Sequence, residues 1–421
     1  MKEILKKFIP TFILNWYHFT LACLGVFIYS FPSKKLIVIG VTGTSGKSTV
    51  VELIARILET NEKLSKTGHK VASLSSIKFK IGEREQENTL KMTMPGRFKI
   101  QKFLKQALNS DCKYVVLEVT SEGIRQHRHR FIDFDVAVFT NLTPEHIEAH
   151  GGFENYKQAK SELFKTTRKV HIINSDDKNA EYFLGIPADK KYKYSIKEII
   201  TPDDHLAITG CSTGTEGISF KVNNTQFNLS LLGQFNTYNA LAAICVGLSQ
   251  EVPLEACKGA LEDINGMPGR MEVVINKPFT VVVDYAHTPT ALEKVYQTAN
   301  NLKPNLICVL GACGGGRDKW KRPVLGKIAA KYCKEIIITN EDPYNENPME
   351  IIKQVVKGTN GKAEIILDRR DAIQKALQKA KQDDIIIITG KGCEPWMCVK
   401  KGRKIAWDDR RIVKEEFQKN P

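Results

Sequence analysis

With 421 residues, 42% of them hydrophobic and 26% charged, the chain has the composition of a soluble globular protein with room for two or three domains. Ten cysteines without a CxxC pair exclude a disulfide framework or a zinc ribbon and point to reduced thiols in a cytosolic protein. The formal charge of +15 calls for acidic partners, and lysines spread along the whole chain without a nucleic-acid motif favour anionic small substrates over nucleic acid.

Residues 8–31 are heavily apolar, with Lys2, Lys6 and Lys7 before them and Lys34 and Lys35 after. A membrane span needs about 20 apolar residues, and Pro10, Asn15 and His18 interrupt this stretch. No small-residue exit site marks a cleaved signal peptide. Trp16, Tyr17, Phe19, Phe27 and Tyr29 are residue types that settle at a membrane interface. Two readings stay open for residues 1–35: a helix packed on its own domain, or contact with the inner face of a membrane.

The run LIVIGVTGTSGKST (36–49) is the most informative stretch. A short strand feeds a glycine turn, then a lysine and two hydroxyls, then a helical pattern from Val50 to Leu58. Backbone N–H groups of Gly43, Thr44, Ser45 and Gly46 would cradle phosphates at a helix start. Lys47 would reach the β- and γ-phosphates, with Ser48 on magnesium and Thr49 beside it. The strict spacing asks for glycine at position 41, where Val41 stands, and Gly40 and Gly43 are read as supplying the flexibility. The chain is expected to bind a nucleoside triphosphate.

Short β-branched runs at 114–119, 136–140 and 170–174 alternate with helix-length polar segments, the pattern of a parallel sheet wrapped by helices. Residues 206–232 read as short antiparallel strands. Further runs at 279–284, 306–311, 335–339, 364–367 and 385–390 predict a second, smaller doubly wound sheet. The fold class is thus α/β: a central P-loop parallel-sheet domain over 36–266, then a Rossmann-like domain over 267–421.

Open α/β sheets place ligands at strand ends. Glu118 ends one strand, and Asn141 and His146 follow another. A carboxylate and an imidazole beside a P-loop hydroxyl suit magnesium or manganese, although such residues equally serve as caps or surface groups. Lys160 reads by itself as one more exposed helix lysine.

Together these blocks resemble the Mur ligases, the ATP-dependent amino-acid-adding enzymes of peptidoglycan precursor synthesis. The resemblance runs from about residue 36 to the C-terminus, through GTSGKST (43–49), NLTPEH (141–146) with His150-Gly151, YKQAK (156–160) and GQFNTYNA (233–240). It continues through PGRME (268–272), DYAHTP (284–289), GGGRDK (314–319) and GKGCE (390–394). Within the family the chain is most similar to UDP-N-acetylmuramyl-tripeptide synthetases. The resemblance implies that a substrate carboxylate attacks the γ-phosphate of ATP, and that an amino acid's amine then displaces phosphate from the acyl phosphate.

Carried over by position, Ser48 and Glu118 would hold one Mg²⁺, and His146 with Lys160 as a carbamate the second. Lys47 and Arg270 would screen phosphate charge. Asn236 and Asn239 match the adenine side, and Asp284, Tyr285 and His287 the ribose side and nucleotide cleft. Thr93, Pro95, Ser121, Gln126 and Arg128 fall where the family holds the uridine-linked muramyl peptide. Arg317, Asp342, Gly390 and Glu394 fall where it holds the incoming amino acid. A monomer binding no nucleic acid is expected.

Three departures stand out. About 35 residues precede the P-loop strand, below the ~50 of a small domain, so the family's N-terminal uridine-nucleotide-binding domain is expected to be absent. Where diaminopimelate-adding members read Asp-Asn-Pro-Arg, this chain has Glu341-Asp342-Pro343-Tyr344, and tyrosine lacks arginine's bidentate grip on a second carboxylate. Cys393 replaces the usual His before the last Glu, and Gly316 the usual Asp before Arg317. Folylpolyglutamate- and cyanophycin-synthetase-like ligases share the core, and a membrane scaffold that has lost catalysis is a reading of another class. ADP release requiring both an acceptor and an amino acid separates enzyme from scaffold.

Overall fold

The computed structural model describes residues 10–90, 92–197, 205–206, 208–303 and 305–419. Lys2, Lys6, Lys7 and Phe8 of the apolar N-terminal segment lie outside them. From Pro10 onward that segment is a helix, Thr11–Ile28, broken where Ser30 and Phe31 take positive φ. Ala22 and Val26 bury it against the helix Arg97–Asn109. No helix among the described residues is long and apolar enough to cross a membrane.

The first sheet is built from β1 (Ile37–Thr42), β2 (Lys70–Leu74), β3 (Lys78–Ile81), β4 (Arg84–Glu87) and β5 (Cys112–Glu118). It continues with β6 (Val136–Phe139), β7 (Val170–Asn174), β8 (Lys190–Tyr194) and β9 (His205–Leu206). Their order is β4-β3-β2-β5-β1-β6-β7-β8-β9, parallel except at the β2–β3 and β3–β4 pairs. Side chains alternate between two cores: Ile39, Val41, Tyr114 and Val116 face one, and Val38, Val115 and Leu117 the other. The helices Lys47–Leu64 and Phe235–Ser249 cover the first face, and Arg97–Asn109 and Phe153–Thr166 the second.

Gly40 corrects the sequence reading. It lies inside β1, paired with Leu117 and Ala137, and a Cβ there would come within 2.9 Å of Leu163 and Phe134. Its service is close helix–sheet packing, while the turn begins beyond Thr42. Val41, the departure from the strict P-loop spacing, is a fully buried strand residue of the core.

Residues 206–232 hold the expected antiparallel sheet of β10 (Ile208–Gly214), β11 (Gly217–Val222) and β12 (Thr225–Leu229), with Phe220 stacked on Phe227. The last sheet contains β13 (Glu272–Ile275), β14 (Thr280–Asp284), β15 (Leu306–Leu310), β16 (Glu335–Ile338), β17 (Ala363–Ile365) and β18 (Ile385–Thr389). Its order is β13-β14-β18-β15-β16-β17, with only the β13 edge antiparallel. A small hairpin of β19 (Trp396–Cys398) and β20 (Lys404–Ala406) precedes the terminal helix Asp409–Lys419.

A buried ion pair fixes that terminal helix to the end of β18. Arg369 Nε and Nη2 donate to the two Asp409 carboxylate oxygens at 2.9 and 2.7 Å, and Nη2 also donates to Thr389 O at 2.9 Å. Both side chains are inaccessible to solvent. Arg369→Leu is expected to destabilise the chain by about 3–5 kcal/mol, because Asp409 stays buried and uncompensated. Urea unfolding followed by circular dichroism reads that loss directly.

Candidate active site

The phosphate loop is held open by contacts from the loop after β6. Thr44 N donates to Asn141 O at 2.8 Å and Ser45 N to Asn141 Oδ1 at 2.9 Å, while Thr140 Oγ1 and Asn141 Nδ2 donate back to Ser45 O. The turn needs glycine at two points. A Cβ on Gly43 (φ +147°) would lie 2.0 Å from Thr140 Oγ1, and one on Gly46 (φ +83°) 2.4 Å from Asn239 Oδ1. Gly46 then starts the 18-residue helix Lys47–Leu64, whose free N–H groups face the loop.

Beside the loop the last sheet meets the first. Arg270 Nη2 donates to Ser76 Oγ at 3.2 Å, Ser76 Oγ lies 2.7 Å from Ser48 Oγ, and Ser48 Oγ donates to Glu118 Oε2 at 2.8 Å. Ser76 N donates to the same carboxylate oxygen at 2.9 Å. Lys47 Nζ lies 3.7 Å from Glu118 Oε1 and donates to Thr44 O at 3.0 Å. Burial lowers the Lys47 pKa; Glu118 opposes that shift and Arg270 adds to it.

Lys160 is not the exposed lysine that its sequence context suggests taken alone. Only 2% exposed, it donates to Gly43 O at 2.7 Å over the ring of Tyr156. Burial first, then the neighbouring Lys47, holds its amine well below the ordinary lysine range. His146, at positive φ, is depressed to about 2 by burial and by Arg317, His287, Lys321 and Lys160. Among the described residues no three His, Cys, Asp or Glu gather as a metal cage. The Ser48 hydroxyl and Glu118 carboxylate are hard oxygen donors, which fits magnesium held largely by phosphates and water.

One cavity of about 910 Å³ takes in most of the expected site residues. Thr44 to Thr49, Glu118, His146, Lys160, Asn239, Arg270, Asp284, Tyr285 and His287 line it. So do Thr93, Ser121, Arg128, Arg317, Asp342, Gly390 and Glu394. Gly43, Pro95, Gln126 and Asn236 are not among its lining residues. Asn236 accepts from Asn239 Nδ2 at 2.8 Å, and Gln126 Oε1 accepts from Arg128 Nη2 at 2.7 Å, so these two position their lining neighbours.

Asp284 accepts from Met271 N at 2.7 Å and Ala286 N at 2.6 Å, which orients Arg270 and the 285–287 turn. Arg270 lies 4.4 Å over the Tyr285 ring, and His287 Nδ1 meets Tyr285 O at 2.9 Å. Burial brings His287 down to about 3, so the ring is neutral.

At another wall, Lys391 is fully buried and donates to both Asp342 oxygens at 3.0 Å and to Glu394 Oε2 at 2.7 Å. Glu341 also lines the cavity, and its Oε2 is buried without a hydrogen-bond partner. A Cβ on Gly390 (φ +108°) would strike that oxygen at 2.2 Å. Tyr344 presses its ring where a Gly315 Cβ would sit.

The glycine-rich loop 314–319 clamps the His146 segment. Asp318 accepts from Ile147 N and Glu148 N at 3.1 Å each, Lys319 N donates to Glu148 Oε1 at 3.0 Å, and Lys321 Nζ donates to buried Glu145 at 2.7 Å. Sequence reasoning missed Ser76, Glu341, Asp318, Lys321 and Lys391. Asp318 and Lys391 fall inside quoted blocks, whereas Ser76 carries no local signal.

Residues 41–247 match the Mur ligase middle domain, and residues 269–392 the Mur ligase, glutamate ligase domain. A UDP-N-acetylmuramoyl-L-alanyl-D-glutamate--2,6-diaminopimelate ligase of Syntrophomonas wolfei is 37% identical over 409 residues, covering 94% of this chain and 81% of its own length. The protein of the same name from Bacillus cereus is 38% identical over 411 residues, with the same coverage. A solved structure carrying that name aligns with TM-score 0.61 at 29% identity, over 91% of this chain and 78% of that one. Folylpolyglutamate synthase of Mycobacterium tuberculosis shares the fold, with TM-score 0.69 at 15% identity over 88% and 92% of the two chains. The chain belongs to the Mur ligase family, the peptide-bond-forming ligases of peptidoglycan synthesis.

Proposed function

We propose that this chain is an ATP-dependent, ADP-forming ligase that joins an amino acid to UDP-N-acetylmuramoyl-L-alanyl-D-glutamate or a related carboxylate. The observation that carries this reading is the single cavity in which the phosphate loop, the Thr93–Ser121–Arg128 wall and the Arg317–Asp342–Glu394 wall meet. Residues 36–266 supply the phosphate loop and the acceptor side, and residues 267–421 the amino-acid side together with Arg270, Asp284, Tyr285 and His287 of the nucleotide cleft. ATP as a reactant supports a cytoplasmic location, and the chain is read as a monomer.

The acceptor carboxylate, held by Arg128, forms a bond to the γ-phosphorus while the bond to the ADP oxygen breaks. Lys47 and Arg270 screen the repulsion between the two anions. The incoming amine then attacks the acyl-phosphate carbonyl, and phosphate leaves with the C–O bond electrons. Alignment by opposing walls does most of the remaining work. Ser48 and Glu118 would hold Mg²⁺, which would supply neutralisation of phosphate charge there. Lys160, its amine made less basic by burial and by Lys47, is suited to take up carbon dioxide as a carbamate with release of a proton, and with His146 it would hold a second ion.

Arg317 receives the α-carboxylate of the amino acid. Tyr344 offers no grip on a distal carboxylate, so the substrate is read as lysine or another amino acid lacking one, unlike the diaminopimelate in the relatives' names. Folylpolyglutamate- and cyanophycin-type acceptors are secondary readings. A scaffold without catalysis is disfavoured by the joint presence of Lys47, Ser48, Glu118, His146, Lys160 and Arg270 around one cavity.

ADP release should require both a muramyl-dipeptide acceptor and an amino acid, and Lys47→Ala should lower kcat at least about a hundredfold without unfolding the chain. ATP turnover indifferent to either partner, or retained in the variant, would overturn the assignment. For Lys160→Ala, a comparable loss is expected, partly restored by added acetate or formate. Full activity without additive would leave Lys160 a packing residue. Asp318→Ala should lower kcat/KM about ten- to a hundredfold by releasing the His146 segment, with ADP affinity measured by calorimetry unchanged.

A further inference from the structure

The helix Thr11–Ile28 is amphipathic in the wrong sense for a domain's outer helix. Its small residues Ala22 and Gly25 face the protein, and Asn15 Oδ1 meets His127 Nε2 at 2.8 Å. Its bulky apolar residues face out: Ile13, Trp16, Tyr17, Leu24, Phe27 and Ile28 are all exposed, Trp16 by 70%. At 100° per residue these six fall within an arc of about 120°, the width that normally faces a core. Thr20, in the same arc, turns its hydroxyl back onto Trp16 O and Tyr17 O.

Within its own helix, the turn that follows and the helix packed alongside, this stripe is accompanied by cations and not by acids, although Asp111, Asp133 and Asp135 share a cavity with Lys34 and Lys35. No Asp or Glu occurs in residues 10–35 or 97–109. Exposed Lys34 and Lys35 follow the helix, and Lys34 Nζ lies 5.1 Å over Phe31, whose ring meets Phe27 edge-on. The helix packed alongside, Arg97–Asn109, adds exposed Lys99 and Lys102.

We propose that this face docks on an anionic lipid bilayer, lying in the headgroup plane. Apolar side chains enter the acyl boundary, and the lysines meet lipid phosphates. The helix has 18 residues and no helix among those described is fit to cross a membrane, so it lies along the surface. Phe19 packs on His127 and Phe131, in the loop that carries Gln126 and Arg128, so docking brings the acceptor end of the cavity to the lipid surface. Lipid docking does not depend on which acceptor the cavity takes.

The test is co-sedimentation of the full chain with phosphatidylcholine vesicles, with or without about 30 mol% phosphatidylglycerol. Binding should be at least about tenfold stronger to the anionic vesicles and weaken with salt, and Trp16→Glu/Phe27→Glu should lose it by a similar factor. ADP release with soluble substrates and the melting temperature should be unchanged in that variant. If it does not fold, Lys34→Glu/Lys35→Glu must weaken anionic-vesicle binding in its place. An intact chain that stays in the supernatant overturns the proposal. So does a dimer in size-exclusion chromatography that Trp16→Glu/Phe27→Glu abolishes, which would make the face a contact between copies.

Discussion

The site depends on a chain of hydrogen bonds that crosses from one sheet to the other: Arg270 to Ser76, Ser76 to Ser48, Ser48 to Glu118. Each member is needed to keep the others buried. Glu118 is only 3% exposed, and an isolated carboxylate there would be strongly disfavoured. The two serines and Lys47 satisfy it, while Asp284, by accepting from Met271 N, orients the turn that carries Arg270. The array balances its own charges and presents cations and hydroxyls to the cavity. The contact between the two halves and the candidate phosphate site are therefore built from the same residues.

A second crossing does the same for His146. Its short helix, Ile147–His150, has too few residues to hold a conformation alone. Asp318 supplies acceptors for Ile147 N and Glu148 N from the other half, and the buried Lys321–Glu145 pair anchors the segment just before it. Losing one partner of that pair would leave a buried charge. The position of His146 is thus set by the half that also holds Arg317, which couples the amino-acid wall to the phosphate region.

What was legible in the sequence follows from range of interaction. The P-loop, the β-branched strands and the antiparallel 208–229 sheet are local patterns, and they sit where the residues predict. The β3–β4 hairpin was missed because its β4 half, Arg84–Glu87, is wholly exposed and carries no apolar alternation. Gly40 was misread because its collision partners, Leu163 and Phe134, are about a hundred residues away. Lys160 looked exposed for the same reason: its helix is amphipathic, but only the tertiary fold puts Gly43 O beside its amine. The resemblance to a family points to many of the cavity's lining residues and takes in Glu341 without giving it a role, whereas Ser76 emerges only from packing.

The wall proposed to take the amino acid is arranged differently from the phosphate-loop array. Lys391 is spent on Asp342 and Glu394, fixing both carboxylates rather than leaving them to meet a ligand as free charges. Arg317 then lines this end of the cavity as a cation, beside a Lys321 already paired with Glu145, and Glu341 Oε2 is a buried oxygen with no donor among the described residues. Burial and the neighbouring Asp342 push the Glu341 carboxyl up, a strain that a donor from outside would relieve. On the proposed reading a ligand bearing one carboxylate and an ammonium group would meet Arg317 and Glu341, whereas Tyr344 brings no charge to a second carboxylate. On the proposed reading Tyr344 sets the charge this wall accepts, while the Arg270–Ser76–Ser48–Glu118 array is built without it.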